Sequence, residues 1–396
     1  NSRKEKIMKI SLSKVFFLQF CALYIFTILY PRGITLTYSS SADFFTLIYK
    51  FCLYFTIAAS MIYIFIKILY QRLHLASYTF FILQYYIVSI VITLFLTGTI
   101  DSGLQTVFYP ICIYLFFNEI QDRVLIIKIS DIFLYCLTLL FFINTLDLMM
   151  NFTNIYHITF LGHVQVISQF GIIAFFISSY YLMIGNRNRK MALLLQILTV
   201  LNCLYADVFL SKIIAIFMII YALSFNIKRV FWKRGILISF LTFIITILLL
   251  FIDIQGYLIR YLQYFDFTFN GRYQIWRIAY QKFLDSKIYG YGVFSLHFNL
   301  PWQDSGAKGI NYAHNQFMQL AIDNGVIGIV SFFIMIFYMI FLTRKIRNCR
   351  VASLFLFSYF CLFIVMFIES VTYYPYYFII LIFQILYERL EQVGEC

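Results

Sequence analysis

Apolar stretches of roughly 17 to 25 residues recur along the chain between short polar breaks, the length at which an α-helix spans about 30 Å of hydrocarbon. Such runs fall at residues 10–30, 44–66, 76–97, 104–118, 125–149, 163–185, 191–206, 210–226, 235–254, 316–342, 351–368 and 374–388. Neither the alternation of a strand nor the one-sided stripe of a soluble helix dominates them. The pattern predicts an all-α polytopic membrane protein of about twelve transmembrane helices. The polar breaks differ in kind. Every second connection is basic, holding Lys67 and Arg72, then Arg123, then Arg187, Arg189 and Lys190, then Lys228, Arg229, Lys233 and Arg234, then Arg344, Lys345, Arg347 and Arg350, with Arg389 in the tail. Of the short alternate connections, the first holds Arg32, and 98–103, 150–162 and 369–373 hold neither Lys nor Arg. Lys and Arg gather on the cytoplasmic side, so both termini are expected there and the one long insertion on the outer face.

This divides the chain into 1–254, with nine transmembrane helices; 255–315, a large, partly helical periplasmic or extracellular loop; and 316–396, with three more helices and a short cytoplasmic tail. Composition agrees: of 396 residues, 63% are hydrophobic and 12% charged, too little charge to solvate a soluble surface. The net charge of +13 follows from the topology signal and attraction to anionic headgroups, and requires no nucleic acid. Many Tyr fall near run ends, where an amphipathic ring suits the interface. The eight cysteines form no Cys-x-x-Cys pair, so neither a disulfide framework nor a zinc site is expected, and no cofactor is implied. Arg3, Lys4, Lys6 and Lys9 precede the first run without a clear small-residue cleavage site, which predicts a retained first helix. There is no obvious internal repeat of the kind that builds many secondary transporters.

The outer loop, Gln255 to about Asn315, is rich in aromatic residues and so can bury surface and fold. Asn270 is a good helix N-cap. Beyond it Gln274, Arg277, Gln281 and Asp285 form a polar stripe at helical spacing, and Ile275, Trp276, Ala279 and Phe283 an apolar one, as in a helix lying along a surface. Its exit is expected at Gly290-Tyr291-Gly292, where glycines permit a chain reversal. Asn324-Gly325 should break the helix that starts near His314, and Gly328 should let helices approach closely. The loop carries Asp266, Asp285, Asp304 and His297 but no clustered carboxylates, so no metal site is expected.

The ordered set Gly271-Arg272…Trp276, Gly290-Tyr291-Gly292 and His314-Asn315-x9-Gly325-x2-Gly328 resembles the signature of the bacterial O-antigen polymerase and O-antigen ligase superfamily. In that family a His-Asn/Ser/Gln-x9-Gly-x2-Gly pattern closes a large periplasmic loop, and about sixty to seventy residues here match at motif level. The family's Ser-Arg pair corresponds to Ser211-Lys212; Lys keeps the charge but loses the bidentate fork. The resemblance implies a GT-C-like, metal-independent membrane glycosyltransferase that moves a glycan from undecaprenyl diphosphate to a sugar hydroxyl at the outer face of the bacterial cytoplasmic (inner) membrane. It would work on lipid-linked glycan donors and acceptors, among membrane lipids, beside a flippase and a chain-length regulator. A leaving diphosphate gains charge as the C1–O bond breaks, so fixed cations act most in the transition state. Arg272 is the first candidate, with Arg277, Arg260 and Lys212 as further diphosphate ligands. The acceptor hydroxyl must shed a proton, and His314 is the candidate base. Asn315 could orient it or bind sugar, and Trp276 could stack on sugar.

A polymerase of lipopolysaccharide, capsule or other exopolysaccharide repeats is the favoured reading, because polymerases are numerous and divergent. The ligase, which moves finished polymer to a lipid A core, shares the motifs. A flippase for lipid-linked oligosaccharides, of another class, would predict pseudo-symmetric halves and charges lining the bundle, whereas the notable groups here gather on one face.

Overall fold

The computed structural model describes residues 17–37, 39–70, 79–97, 102–150, 157–184, 188–251, 272–295, 312–374 and 376–392. Its helices are α1 Phe17–Ile28, α2 Gly33–Thr37, α3 Ser39–Leu69, α4 Thr79–Thr97, α5 Ser102–Asn118, α6 Arg123–Met150, α7 Ile167–Ile184, α8 Arg189–Tyr205, α9 Phe209–Leu223, α10 Phe225–Phe251, α11 Arg272–Asp285, α12 Gln316–Leu342, α13 Cys349–Ile368 and α14 Tyr376–Gln392. Each expected apolar run is occupied by a helix. Among the described residues, seven helical segments are long and apolar enough to cross a membrane, in α3, α4, α6, α7, α10, α12 and α13.

Burial separates a centre from a rim. The most apolar windows of α7 and α13 are 83% and 78% buried, against 17% for α3, so α7 and α13 form the axis on which the rest packs. There Tyr221 stacks on Phe357 with ring centres 4.1 Å apart, and Phe176 lies 4.8 Å from Phe355. On α3, Phe44, Leu47, Phe51, Phe55, Ile62 and Phe65 point outward, each at least half exposed. An apolar face of that size is stable against lipid and not against water.

Two expectations change. The basic residues Lys228, Arg229, Lys233 and Arg234 do not form a loop: α10 begins at Phe225 and carries them in its first three turns. Long basic side chains reach the interface from within a helix, so charge does not have to end one. The chain is also not purely helical. A two-stranded antiparallel hairpin, β1 Ile158–Thr159 and β2 Gly162–His163, precedes α7. It hangs from α6, where Asn144 Oδ1 accepts from Leu161 N–H at 2.8 Å and Asp147 Oδ2 from Phe160 N–H at 2.6 Å. Asn144 is held in turn by donating to Asn202 Oδ1 at 2.6 Å.

The glycine motifs interlock. At Gly325 (φ 61°, ψ −157°) α12 breaks, as its Asn-Gly pair predicts. A break strands backbone groups that must find other partners, and the turn after α11 supplies them. Tyr291 and Gly292 N–H donate to the Ile322 and Asp323 carbonyls at 2.8 Å, and Val326 N–H donates to the Lys287 carbonyl at 2.9 Å. Both sides need glycine: a Cβ at Gly290 (φ 67°) would lie 2.4 Å from Ile322 O, and one at Gly325 2.3 Å from Ile288 O. Gly328 leaves room for the Asn324 side chain, where a Cβ would meet Asn324 Cβ at 2.2 Å, and Asn324 Nδ2–H donates to Ser89 Oγ of α4 at 2.8 Å.

Replacing Gly325 with Ala therefore combines left-handed strain with a backbone clash. The expected loss is on the order of 1–3 kcal/mol, read as a lower thermal midpoint in detergent, whereas Gly235→Ala, which carries no left-handed strain and meets Leu356 Cβ and Cδ1 at 2.8 Å, should lose less.

Candidate functional site

The site forms where α11, the entry to α12 and the exit from α13 meet. On α11 the expected stripes are real. Ile275, Trp276, Ala279 and Phe283 are buried and Arg277, Gln281 and Asp285 exposed. Arg272, in the first turn, belongs with the buried side at 8% exposure. Its Nη1–H donates to the Ile368 carbonyl at 2.9 Å and its Nη2–H to Glu369 Oε1 at 2.5 Å.

Glu369 is the residue that sequence reasoning missed. It follows the last residue of α13 and is 5% exposed. Its second oxygen lies 3.5 Å from His314 Nδ1. That is within ion-pairing distance but lacks the alignment of a hydrogen bond, and the buried Nδ1 has no other partner among the described residues. One carboxylate thus stands between the guanidinium and the imidazole, an arrangement that spans three separate stretches of chain. The available signal was a carboxylate at the end of an apolar run, a costly placement that marks function; a count of Lys and Arg alone passes over it.

The backbone holds His314 in an unusual state (φ 49°). Asn315 caps α12, its Oδ1 accepting from Phe317 N–H at 2.9 Å and Met318 N–H at 3.0 Å, while its Nδ2–H donates to Phe367 O at 2.7 Å. Its amide is thereby committed to fixing the residue after His314, and contacting sugar would cost these bonds. Trp276 is also corrected. It is 3% exposed, donates through Nε1–H to Ala313 O at 2.9 Å and lies 5.9 Å from Phe367, so it anchors the His314 turn and offers no open face to a sugar. The Tyr312 ring covers His314 at 4.1 Å.

Other groups converge on the same end. Arg32, noticed in the sequence only as a lone outer cation, lies over the Tyr374 ring at 4.6 Å. Burial raises the Tyr374 phenol pKa, with Arg32 opposing and Glu369 adding to the rise. Burial and Glu369 also push up the Tyr312 phenol, with Arg272 opposing. His163, on the hairpin, is pushed below its ordinary 6.5 by burial; Glu369 opposes the shift, and His157, His314 and Arg272 add to it. Ser370 Oγ is buried without a hydrogen-bond partner among the described residues, so this end holds polar capacity that the fold leaves unused.

Two expected residues are not joined to this centre. Arg277 is exposed on the far stripe of α11. Lys212, in the first turn of α9, is about half exposed and faces Asp207 at 3.9 Å, with the neighbouring Ser211 Oγ buried and unpartnered among the described residues. Arg260 lies outside the described residues, as do Gly271, Asn270, Asp266, His297 and Asp304.

Residues 158–333 match the family model described as O-antigen ligase. That match supports membership of the O-antigen ligase and polymerase superfamily. No curated protein and no solved structure matches it. Superfamily members are membrane glycosyltransferase-like enzymes, and the match points to glycosyl transfer of the polymerase or ligase type. The matched stretch of this O-antigen ligase relative begins at the hairpin and ends in α12, so it contains His163, Arg272 and His314. Glu369 and Arg32 lie outside it.

Removing one member of a buried ion pair strands the other, at about 3–5 kcal/mol. Glu369→Ala should lower the thermal midpoint accordingly, and adding Arg272→Met should restore part of the loss. The His163 shift has a definite sign. Its folded pKa lies below the unfolded value, so below about pH 6.5 the unfolded chain binds a proton that the fold resists. Stability is retained above that pH and falls as pH drops through it; His163→Gln should flatten the midpoint between about pH 7.5 and 5.5.

Proposed function

We propose that the protein is a polysaccharide polymerase that transfers an undecaprenyl-diphosphate-linked glycan onto a sugar hydroxyl of a lipid-linked repeat unit at the outer face of the bacterial cytoplasmic membrane. The observation that carries this is Glu369 lying between Arg272 and His314 at the end of the bundle away from most of the basic residues. In the reaction the acceptor oxygen forms a bond to C1 of the donor glycan as the bond from C1 to the diphosphate oxygen breaks. The hydroxyl proton passes to His314, and the diphosphate leaves on its lipid.

Each residue then has one part. Arg272 meets charge that grows on the leaving oxygens, so its contribution is largest in the transition state. Glu369 positions both groups: it holds the guanidinium fork and faces Nδ1 of His314, which leaves Nε2 to take the proton. Arg32 is a second cation for the diphosphate, with Arg260 as a further candidate ligand. The chain crosses the membrane twelve times, with both termini cytoplasmic and residues 255–315 outside; the alternating basic connections support that topology. No metal takes part, so transfer should survive EDTA. A flippase and a chain-length regulator are the expected partners.

The family model's description supports a second reading, a ligase that delivers finished polymer to a terminal acceptor such as a lipid A core. Purified protein given lipid-linked repeat units without nucleotide sugar should form a ladder if it is the polymerase. A ligase should extend only the terminal acceptor. His314→Ala and Arg272→Gln should each reduce transfer by at least about 100-fold, with Glu369→Gln intermediate. Wild-type ladders from the first two would remove the site assignment.

A further inference from the structure

A cavity of about 1050 Å³ opens at the opposite end of the bundle. The separation follows from the helices that join the two places. α13 has Arg350 at its start, in the cavity wall, and is followed directly by Glu369. Its 20 residues span about 30 Å. α7 runs the other way, from beside His163 to Leu182 and Met183 in the same wall.

The wall is cationic from three directions. Arg189 and Lys190 come from the first turn of α8, Lys228 from the first turn of α10 and Arg350 from the first turn of α13. The first turns of three helices therefore bring four cations to one basin. No Asp or Glu is among the described residues that line it. Asp131, one turn from the lining residue Tyr135, is engaged at Oδ1 by Tyr181 and Asn188, both at 2.7 Å. Lys228 is held in place, its Nζ–H donating to the Ala222 carbonyl at 2.8 Å. Four like charges around an open basin repel one another unless an anion sits among them.

The wall also has an apolar part. Leu193 and Phe225 line it at 51% and 70% exposure, on helices whose outward faces are built for lipid. An anion with a hydrocarbon tail meets both requirements, and a soluble anion meets only the first. We infer that this cavity is a binding site for the phosphate headgroup of an anionic membrane lipid, with the phosphate among Arg189, Lys190, Lys228 and Arg350 and the acyl chain leaving over Leu193 and Phe225. The inference is independent of the transfer chemistry at the far end.

General attraction of basic helix ends to anionic lipid is separated from a site by location. Phosphatidylglycerol added to the detergent-purified protein should raise the thermal midpoint by a few degrees, more than phosphatidylcholine does. The double substitution Lys228→Gln with Arg350→Gln should abolish the difference. Lys233→Gln with Arg234→Gln, which removes the same charge from α10 outside the cavity wall, should leave it intact. If the first pair prevents folding, Arg189→Gln with Lys190→Gln makes the same test, and native mass spectrometry should find phosphatidylglycerol retained by the wild-type protein. Equal loss in the cavity and control pairs, or equal shifts from the two lipids, would overturn the site. An equal shift from sn-glycerol 3-phosphate would overturn the lipid and leave a soluble anion.

Discussion

A carboxylate that is 5% exposed is tolerable only beside a cation, and Glu369 has one in Arg272 at 2.5 Å. That pairing governs much of this end of the bundle. It ties the first turn of α11 to the end of α13, on the central axis of the bundle. Trp276, one helical turn further along α11, then reaches Ala313, which sets the chain immediately before His314. The imidazole is thus located relative to the guanidinium through a short run of buried contacts. Pairs of this kind are weak evidence for stability, since apolar replacements of equal volume often do as well.

A second constraint is the break in α12. A continuous helix would satisfy its own backbone, and the turn after α11 would then have nothing to bind. Breaking it at Gly325 exposes carbonyls that Tyr291 and Gly292 take up. The two glycine motifs, separated by some thirty residues of sequence, are the halves of one joint. The joint fixes one end of α11 as the Arg272 pair fixes the other.

Much of this was legible beforehand, for identifiable reasons. Apolar run length reports helices directly, because backbone in hydrocarbon has few alternatives. The stripes of α11 were readable since one face had to be buried, and the Asn324-Gly325 break since glycine alone enters that conformation without strain. What escaped depended on three-dimensional partners. Arg32 and Glu369 are single charges in short connections, and nothing in their neighbourhoods says that they converge. Trp276 reads as a sugar-stacking ring and Asn315 as either a positioner of His314 or a sugar ligand, because an aromatic ring and an amide suit sugars. The fold uses the same properties for itself, with an indole N–H for a carbonyl and an amide for a helix cap. Lys228 shows a further limit, in that a basic cluster marks the membrane boundary without marking the end of a helix.

The segment recognisable as O-antigen ligase stops at residue 333, well short of Glu369. The part of the molecule that carries kinship therefore holds the guanidinium and the imidazole without the anion between them. A chimera that grafts residues 158–333 into a related scaffold would import a positive charge shaped for a counterion supplied by its host. Compatibility between such halves would turn on one acidic side chain at a helix end, a position that alignment of the shared segment alone would never inspect.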